Sequence, residues 1–187
     1  MDIPKDRRVR RTRHALQQAM LGLLARADYD AITVAQICEA ADVGRSAFYQ
    51  HFKGKDDLLR SGFAQLEADL EVSEPHQAAD FSARFLDHAY RHRALYRSLM
   101  RSLAAPIATT AIRRILDGQA RAVLARETPS GAPQDLRAAL LVDLLLSLTR
   151  WWLDRDARQP IRDIDAMFKE LSAGIIGAGR PPPISLE

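Results

Sequence analysis

The stretch Thr33-Val-Ala-Gln-Ile-Cys-Glu-Ala-Ala-Asp-Val-Gly-Arg-Ser-Ala-Phe-Tyr-Gln-His-Phe-Lys-Gly-Lys55 reads as two short helices joined by a tight turn, with a lysine at the head of a third helix. Thr33 and Gln36 have the spacing of a capping box, in which each side chain satisfies a free backbone N–H at a helix start. Val34, Ile37, Cys38 and Ala41 then recur at helical spacing and give the first short helix one apolar face. Asp42-Val43-Gly44 breaks that pattern: Asp and Gly suit a turn, and Val43 is placed to plug the corner. The second helix is expected over 45–52, with Gly44 as its N-cap. Phe48 and Phe52, four residues apart, share one face; Arg45, Ser46 and Tyr49 share the opposite one, with Gln50 beside them. Gly54 stops that helix, and Asp56 and Asp57 suit the positive N-terminal end of the next. A short helix with an apolar back and a polar front, braced by a second short helix, is a helix-turn-helix. That device places its second helix in the DNA major groove.

The charge distribution supports this. The chain of 187 residues has a net charge of +3. Residues 1–60 hold eleven Lys/Arg against eight Asp/Glu, whereas residues 61–187 hold sixteen of each. The whole excess therefore lies in the part that carries the helix-turn-helix. Within it, Lys5, Arg7, Arg8, Arg10, Arg11 and Arg13 form a basic arm suited to phosphate contact. Apolar residues make up 47% of the chain, enough for a core, and a single cysteine excludes an internal disulfide. The N-terminus lacks the apolar core of a signal peptide, and the most apolar stretch, 140–153, is too short to span a bilayer and is broken by Asp143 and Arg150. A soluble, cytoplasmic protein without membrane partners is expected.

The periodicity predicts an all-α chain of about nine helices. A first helix over 7–27 carries Leu16, Met20, Leu23, Leu24 and Ala27 on its apolar face; Asp28-Tyr29-Asp30 forms a loop, with Tyr29 packing under the head. A fourth helix over 55–72 carries Leu58, Leu59, Phe63, Leu66 and Leu70 and ends at Ser73-Glu74-Pro75. Five more helices are expected near 77–91, 93–102, 106–126, 134–155 and 161–177, with a Pro/Gly-marked loop at 127–134 and Pro160 opening the last helix. These divide into a head, 1–54, a body, 55–178, and a flexible tail, 179–187. The last two helices are the most apolar. The stripe of the penultimate helix is too wide for one neighbour, and the pair buries its excess either inside the domain or against a copy of itself; two helices from each of two copies would make a four-helix bundle, with Leu141, Leu145, Leu148, Ile164, Phe168, Leu171 and Ile175 as dimer-interface candidates.

The pattern Thr33-Val34…Ile37…Ala40-Ala41…Val43…Ala47-Phe48-Tyr49…His51-Phe52…Lys55-Asp56-Asp57-Leu58-Leu59 resembles the DNA-binding head of the TetR family of bacterial transcription regulators. The resemblance covers about residues 7–66, and the phrases at 90–99 and 151–153 are also common in that family. It implies a three-helix head, a body of about six helices that binds a small-molecule effector and dimerises, and a repressor that leaves a near-palindromic double-stranded DNA operator when the effector binds. It also implies roles for residues. Arg45 and Ser46 would read base edges, Tyr49 and His51 would contact phosphates, and Gln50 would do either. Thr33 and Lys55 would touch the backbone, with Gly44 standing where a serine cap is common.

Other features fit plainer roles. Cys38 has no second ligand and suits a small buried hydrophobe. His14, His76, His88 and His92 are scattered; His88 and His92 lie four apart but lack a third ligand, so no metal site is expected. No Ser/His/Asp set, Gly-rich phosphate loop or paired-carboxylate cleft stands out, so neither catalysis nor a cofactor is expected. Phe85, His88, Tyr96, Met100, Leu116, Trp151 and Trp152 are the ligand-pocket candidates, although their helical spacing equally suits core. Two other readings stay open: a ligand-independent architectural DNA binder, and a helical enzyme or binding module that does not bind DNA.

Overall fold

The computed structural model describes residues 3–70, 81–126 and 132–176, and the side chains of all of these but 3–6, 64–66 and 68–70. Expectations for Lys5, Leu66, Leu70, the break at 73–75, the loop at 127–131 and the tail at 179–187 lie outside what is described. Among the described residues there are nine α-helices and no strand: α1 Ile3–Leu24, α2 Val34–Ala40, α3 Arg45–His51, α4 Lys55–Leu70, α5 Phe81–Arg91, α6 Arg93–Met100, α7 Ala105–Leu124, α8 Gln134–Asp154 and α9 Ile161–Ile176. The all-helical expectation holds. One detail differs: the expected loop after α1 contains a 3-10 turn, Tyr29–Ala31. Ala27 lies beyond α1 and is exposed, so it belongs to no apolar face.

Two compact units divide the chain, one taking 1–71 with 92–112 and the other 72–91 with 113–187. In the first, α2, α4 and α6 pack on α1, and α3 meets both α1 and α2. Its core is Leu16, Met20 and Leu24 of α1 with Tyr29, Ile37, Phe48, Phe52, Leu58 and Phe63, all nearly inaccessible to solvent. Each such fully buried aliphatic or aromatic side chain contributes about 1.5–3 kcal/mol of transfer free energy. Two polar links join residues of α6 and the following loop to the rest of this unit. The Ser98 hydroxyl donates to the Ala27 carbonyl at 3.5 Å. The Leu103 N–H meets both Asp30 carboxylate oxygens at 3.2 Å.

In the second unit, α5 packs on α8 and α9, and α8 packs on α9. Phe81 and Phe168 meet edge to face with ring centroids 5.8 Å apart, and the Ser82 hydroxyl donates to Asp165 at 2.6 Å. Trp152 is fully buried; its ring stacks on Tyr90 at 5.6 Å and its indole N–H donates to the Gln159 carbonyl at 3.0 Å. Arg137, almost wholly buried, donates to the Ile175 carbonyl at 2.8 Å and to the Ile176 carbonyl. A cation on the last carbonyls of α9 satisfies acceptors that the helix leaves open and suits its negative end. An Arg113–Asp143 ion pair joins the later part of α7 to α8.

Candidate nucleic-acid interface

The segment 33–55 is built from local devices that place one helix face outward. The Thr33 hydroxyl accepts from the Gln36 N–H at 3.3 Å, and the Gln36 amide oxygen accepts from the Thr33 N–H at 2.8 Å, so the capping box at the start of α2 is formed. α2 ends in a Schellman motif. Asp42 adopts the left-handed conformation, φ 52°. Its N–H bonds the Glu39 carbonyl at 3.1 Å, while the Val43 N–H bonds the Cys38 carbonyl at 2.9 Å. Both bonds satisfy carbonyls that a helix end would leave open, and they fix the direction in which the chain leaves α2. Gly44 then caps α3 with ordinary extended torsions and no side-chain bond.

α3 is amphipathic in cross-section. Phe48 is fully buried and Phe52, which caps the helix from just outside it, is 3% exposed. Arg45, Ser46 and Gln50 are exposed, Tyr49 is 59% exposed and His51 is half-buried. The Tyr49 ring leans edge-on against Phe48 at 5.3 Å, which orients the phenol. The Arg13 guanidinium lies 4.7 Å over the Phe52 ring. One residue of the basic arm therefore braces the head, whereas Arg7, Arg8, Arg10 and Arg11 are exposed. Cys38 is buried, and burial pushes its thiol pKa up against the opposing charge of Arg45, as suits a packing residue.

Lys55 occupies a different place from the one the resemblance implies. Its ammonium donates to the carbonyls of Tyr29 at 2.9 Å, Asp30 at 3.4 Å and Ile32 at 2.9 Å, and lies 4.4 Å from the Tyr29 ring centroid. All three N–H donors of an ammonium are thereby engaged. A phosphate would have to displace a carbonyl, so Lys55 clamps the start of α4 onto the 3-10 turn. The neighbouring residues complete that clamp. The Tyr29 hydroxyl donates to Asp56, and burial together with that carboxylate pushes the phenol pKa up. The Asp57 carboxylate accepts from the Lys53 N–H at 3.0 Å. A lysine heading a helix gave no sign of this use, since the carbonyls it meets lie 23–26 residues earlier.

The body candidates are divided between the units. Tyr96 and Met100 belong to the first; Phe85, His88, Leu116, Trp151 and Trp152 belong to the second. Phe85, Leu116 and Trp152 are fully buried, His88 and Trp151 half-buried, and the Arg155 guanidinium lies 4.7 Å over the Trp151 ring. Of the dimer candidates, Leu141, Leu145, Ile164 and Phe168 are consumed by the chain's own core at 0–2% exposure, so they have no surface left for a second copy. Leu171 is exposed, and Leu148 and Ile175 are half-buried. The large apolar side chains that α8 and α9 do present are Leu136, Leu140, Met167 and Leu171, spaced i, i+4 on each helix. Among the described residues no group of three potential metal ligands occurs, and no helix is long and apolar enough to cross a membrane.

Residues 18–61 match the family described as bacterial regulatory proteins, tetR family. The chain is 46% identical over 57 residues to an uncharacterized HTH-type transcriptional regulator, YxbF, of Bacillus subtilis (strain 168); the match covers 30% of this chain and 15% of that protein. It is 31% identical over 88 residues to the HTH-type transcriptional regulator TcmR of Streptomyces glaucescens, covering 46% of this chain and 39% of that one. The matches thus span well under half the length of either relative. The crystal structure of a TetR transcriptional regulator from Streptococcus agalactiae 2603V superposes with a TM-score of 0.74 at 24% identity, over 92% of this chain and 99% of that one. At that identity the likeness establishes the fold, and it does so over nearly the whole chain.

Proposed function

We propose that this chain, which belongs to the tetR family of bacterial regulatory proteins, acts as a homodimeric transcription regulator that reads a near-palindromic operator and is released from it by a small molecule. The observation that carries the reading is α3. Its polar face, Arg45, Ser46, Tyr49 and Gln50, stands in solvent directly opposite a pair of core phenylalanines. In the major groove that face offers a guanidinium for guanine and hydroxyl and amide groups for base edges or phosphates. Thr33, Gly44 and His51 flank it as backbone contacts, and the exposed arginines of α1 supply sequence-independent attraction. Residues 1–54 act as the reading head and 55–178 as the effector-binding and dimerising body.

The seam between copies is assigned to Leu136, Leu140, Met167 and Leu171, joined by Leu148 and Ile175, because these are the apolar groups that α8 and α9 leave uncovered. Two-fold heads would meet half-sites one helical turn apart, about 34–36 Å, or a multiple of it. The effector acts by population shift: it binds better to the form with misplaced heads and weakens DNA binding by about 1–3 kcal/mol. Phe85, His88, Leu116, Trp151 and Trp152 are the residues from which its site is drawn.

The test is a gel shift with DNA from upstream of the protein's own coding region, repeated with random duplex and with rising salt. Two protomers bound per specific duplex, with affinity falling steeply as salt rises, is the expected result. A protein that retards no duplex at low salt would leave α3 without its assigned partner.

A further inference from the structure

The second unit carries a polar pair that links two of its helices, one partner buried and the other half-buried. Gln119 of α7 is 8% exposed among Ile115, Leu116, Ala120 and Leu124, which are all buried. Arg84 of α5, half-buried beside Phe81, Phe85 and Leu86, reaches it: its Nη2 donates to the Gln119 amide oxygen at 3.5 Å, the outer limit of a hydrogen bond. The Arg84 Nε–H is shielded from water and meets no acceptor among the described residues. Two nearby carboxylates on the same helices are engaged elsewhere. Asp87 pairs with Arg91, and Asp117 pairs with Arg121 at 2.7 Å. An N–H of a charged group that is shielded from water and has no acceptor is costly, and folded proteins seldom retain one without use.

We propose that Arg84 and Gln119 form the polar end of the effector site and that the effector is an organic carboxylate with an apolar body. This rests on the regulatory reading above and names the ligand class for it. A carboxylate matches the guanidinium edge, one oxygen on Nε and the other on Nη2, in the bidentate geometry that arginine favours. Phe85 and His88 follow Arg84 on α5, and Leu116 precedes Gln119 by one turn of α7, so the pair lies on the same two helices as these pocket candidates. A neutral acceptor would supply one weaker bond and leave the charge uncompensated.

The test pairs stability with ligand response. Melting is followed for the full chain and for Arg84→Met, each alone and with octanoate, benzoate and their uncharged amides. Replacing a half-buried guanidinium whose Nε–H lacks an acceptor with an apolar side chain should not lower the melting temperature of the ligand-free variant. In the parent, the carboxylates should raise the melting temperature and lower retention of operator DNA at least tenfold, the amides should do neither, and Arg84→Met should lose both responses. Arg84→Lys keeps the charge without the fork and should respond at least tenfold more weakly. An Arg84→Met protein that melts lower or fails to fold makes the pair structural and overturns the proposal. So does a parent that ignores both carboxylates or treats acids and amides alike. Operator binding without ligand is measured alongside. If it persists while carboxylates do nothing, only the ligand class falls; if it is absent, the regulatory reading falls first.

Discussion

The segment 33–55 and the pair α8–α9 solve opposite problems. In the first, short helices must be held firmly enough to offer a polar face. Polar and apolar residues alternate cleanly there, with Phe48 and Phe52 inside and Arg45, Ser46 and Tyr49 outside. In the second, long helices are apolar on more than one side, with Leu141 and Leu145 inside yet Leu136 and Leu140 outside. Where a helix has one apolar face, its pattern separates core from working surface. Where it has two, the pattern does not tell which face is core and which is left uncovered.

The sharpest way to test that contrast is to put a charge on each side of α8–α9. Leu145→Glu buries an unpaired carboxylate in a fully packed site and should cost about 4 kcal/mol or more, measured as loss of the cooperative melt. Leu171→Glu, at a side chain 58% exposed, should keep the melt cooperative while light scattering reports monomers. A dimer that survives Leu171→Glu would move the seam away from this face.

A second contrast concerns two cations that clamp carbonyls, half-buried Lys55 in the first unit and buried Arg137 in the second. Hydrogen bonds to charged groups contribute about 1.5–3 kcal/mol each site, so Lys55→Met and Arg137→Met should both destabilise by that order in urea unfolding. The salt dependence of DNA binding distinguishes the roles. With Lys55 acting as a clamp, its removal leaves the slope of log affinity against log salt unchanged. A slope lowered by about 1 per head, with stability intact, would restore Lys55 to the phosphate contacts.

On the outward face of α3, Arg45→Ala should cost about 1–3 kcal/mol of operator affinity and relax preference at one base pair in each half-site, read by competition among single-base operator variants. A loss equal for every sequence would make Arg45 a phosphate contact.

How much could be seen in advance follows the same division. The capping box at Thr33 and Gln36, the turn at Asp42, the inward Phe48 and Phe52 and the helix order were legible because each depends on neighbours within a few residues. Lys55, Arg137 and Arg84 were not. A cation on a helix normally reads as surface, and what makes each of these otherwise is an acceptor at least 23 residues away in the chain. Leu141 and Leu145, which lie in the chain's own core instead of at a seam, were not legible for the complementary reason. Their spacing shows that they are buried, and nothing local says whether the burial is against the same copy or another.

Two helix ends allow a finer comparison. α8 closes with the same Schellman bonds as α2, Asp156 N–H to Leu153 and Ala157 N–H to Trp152. Its turn, however, holds two residues at positive φ, Asp156 at 60° and Ala157 at 50°. Alanine has no side-chain group to offset the left-handed conformation, whereas Asp is among the residues that tolerate it. Ala157→Gly should therefore raise stability by about 1 kcal/mol and Asp42→Gly by about half as much. Equal gains would mean that the Asp42 carboxylate contributes nothing to its turn.

The smallest expected effect bears most directly on the reading helix. Gly44 caps α3 at φ −63° and ψ 144°, torsions that any L-residue adopts, and a Cβ built there would meet nothing within 4 Å. The glycine is thus not required by the backbone. Serine would add a hydroxyl for a free N–H of the first turn and would narrow the unfolded ensemble. Together these should be worth about 0.5 kcal/mol, near the resolution of a careful urea melt. Hydrogen exchange at the amides of α3 is the more sensitive readout, since a firmer cap slows opening of the helix first. If Gly44→Ser firms α3 and also tightens operator binding, the head gains from a more rigid reader. If it firms α3 and weakens binding, the bare glycine keeps room for a phosphate close to the backbone, and the open cap belongs to the interface.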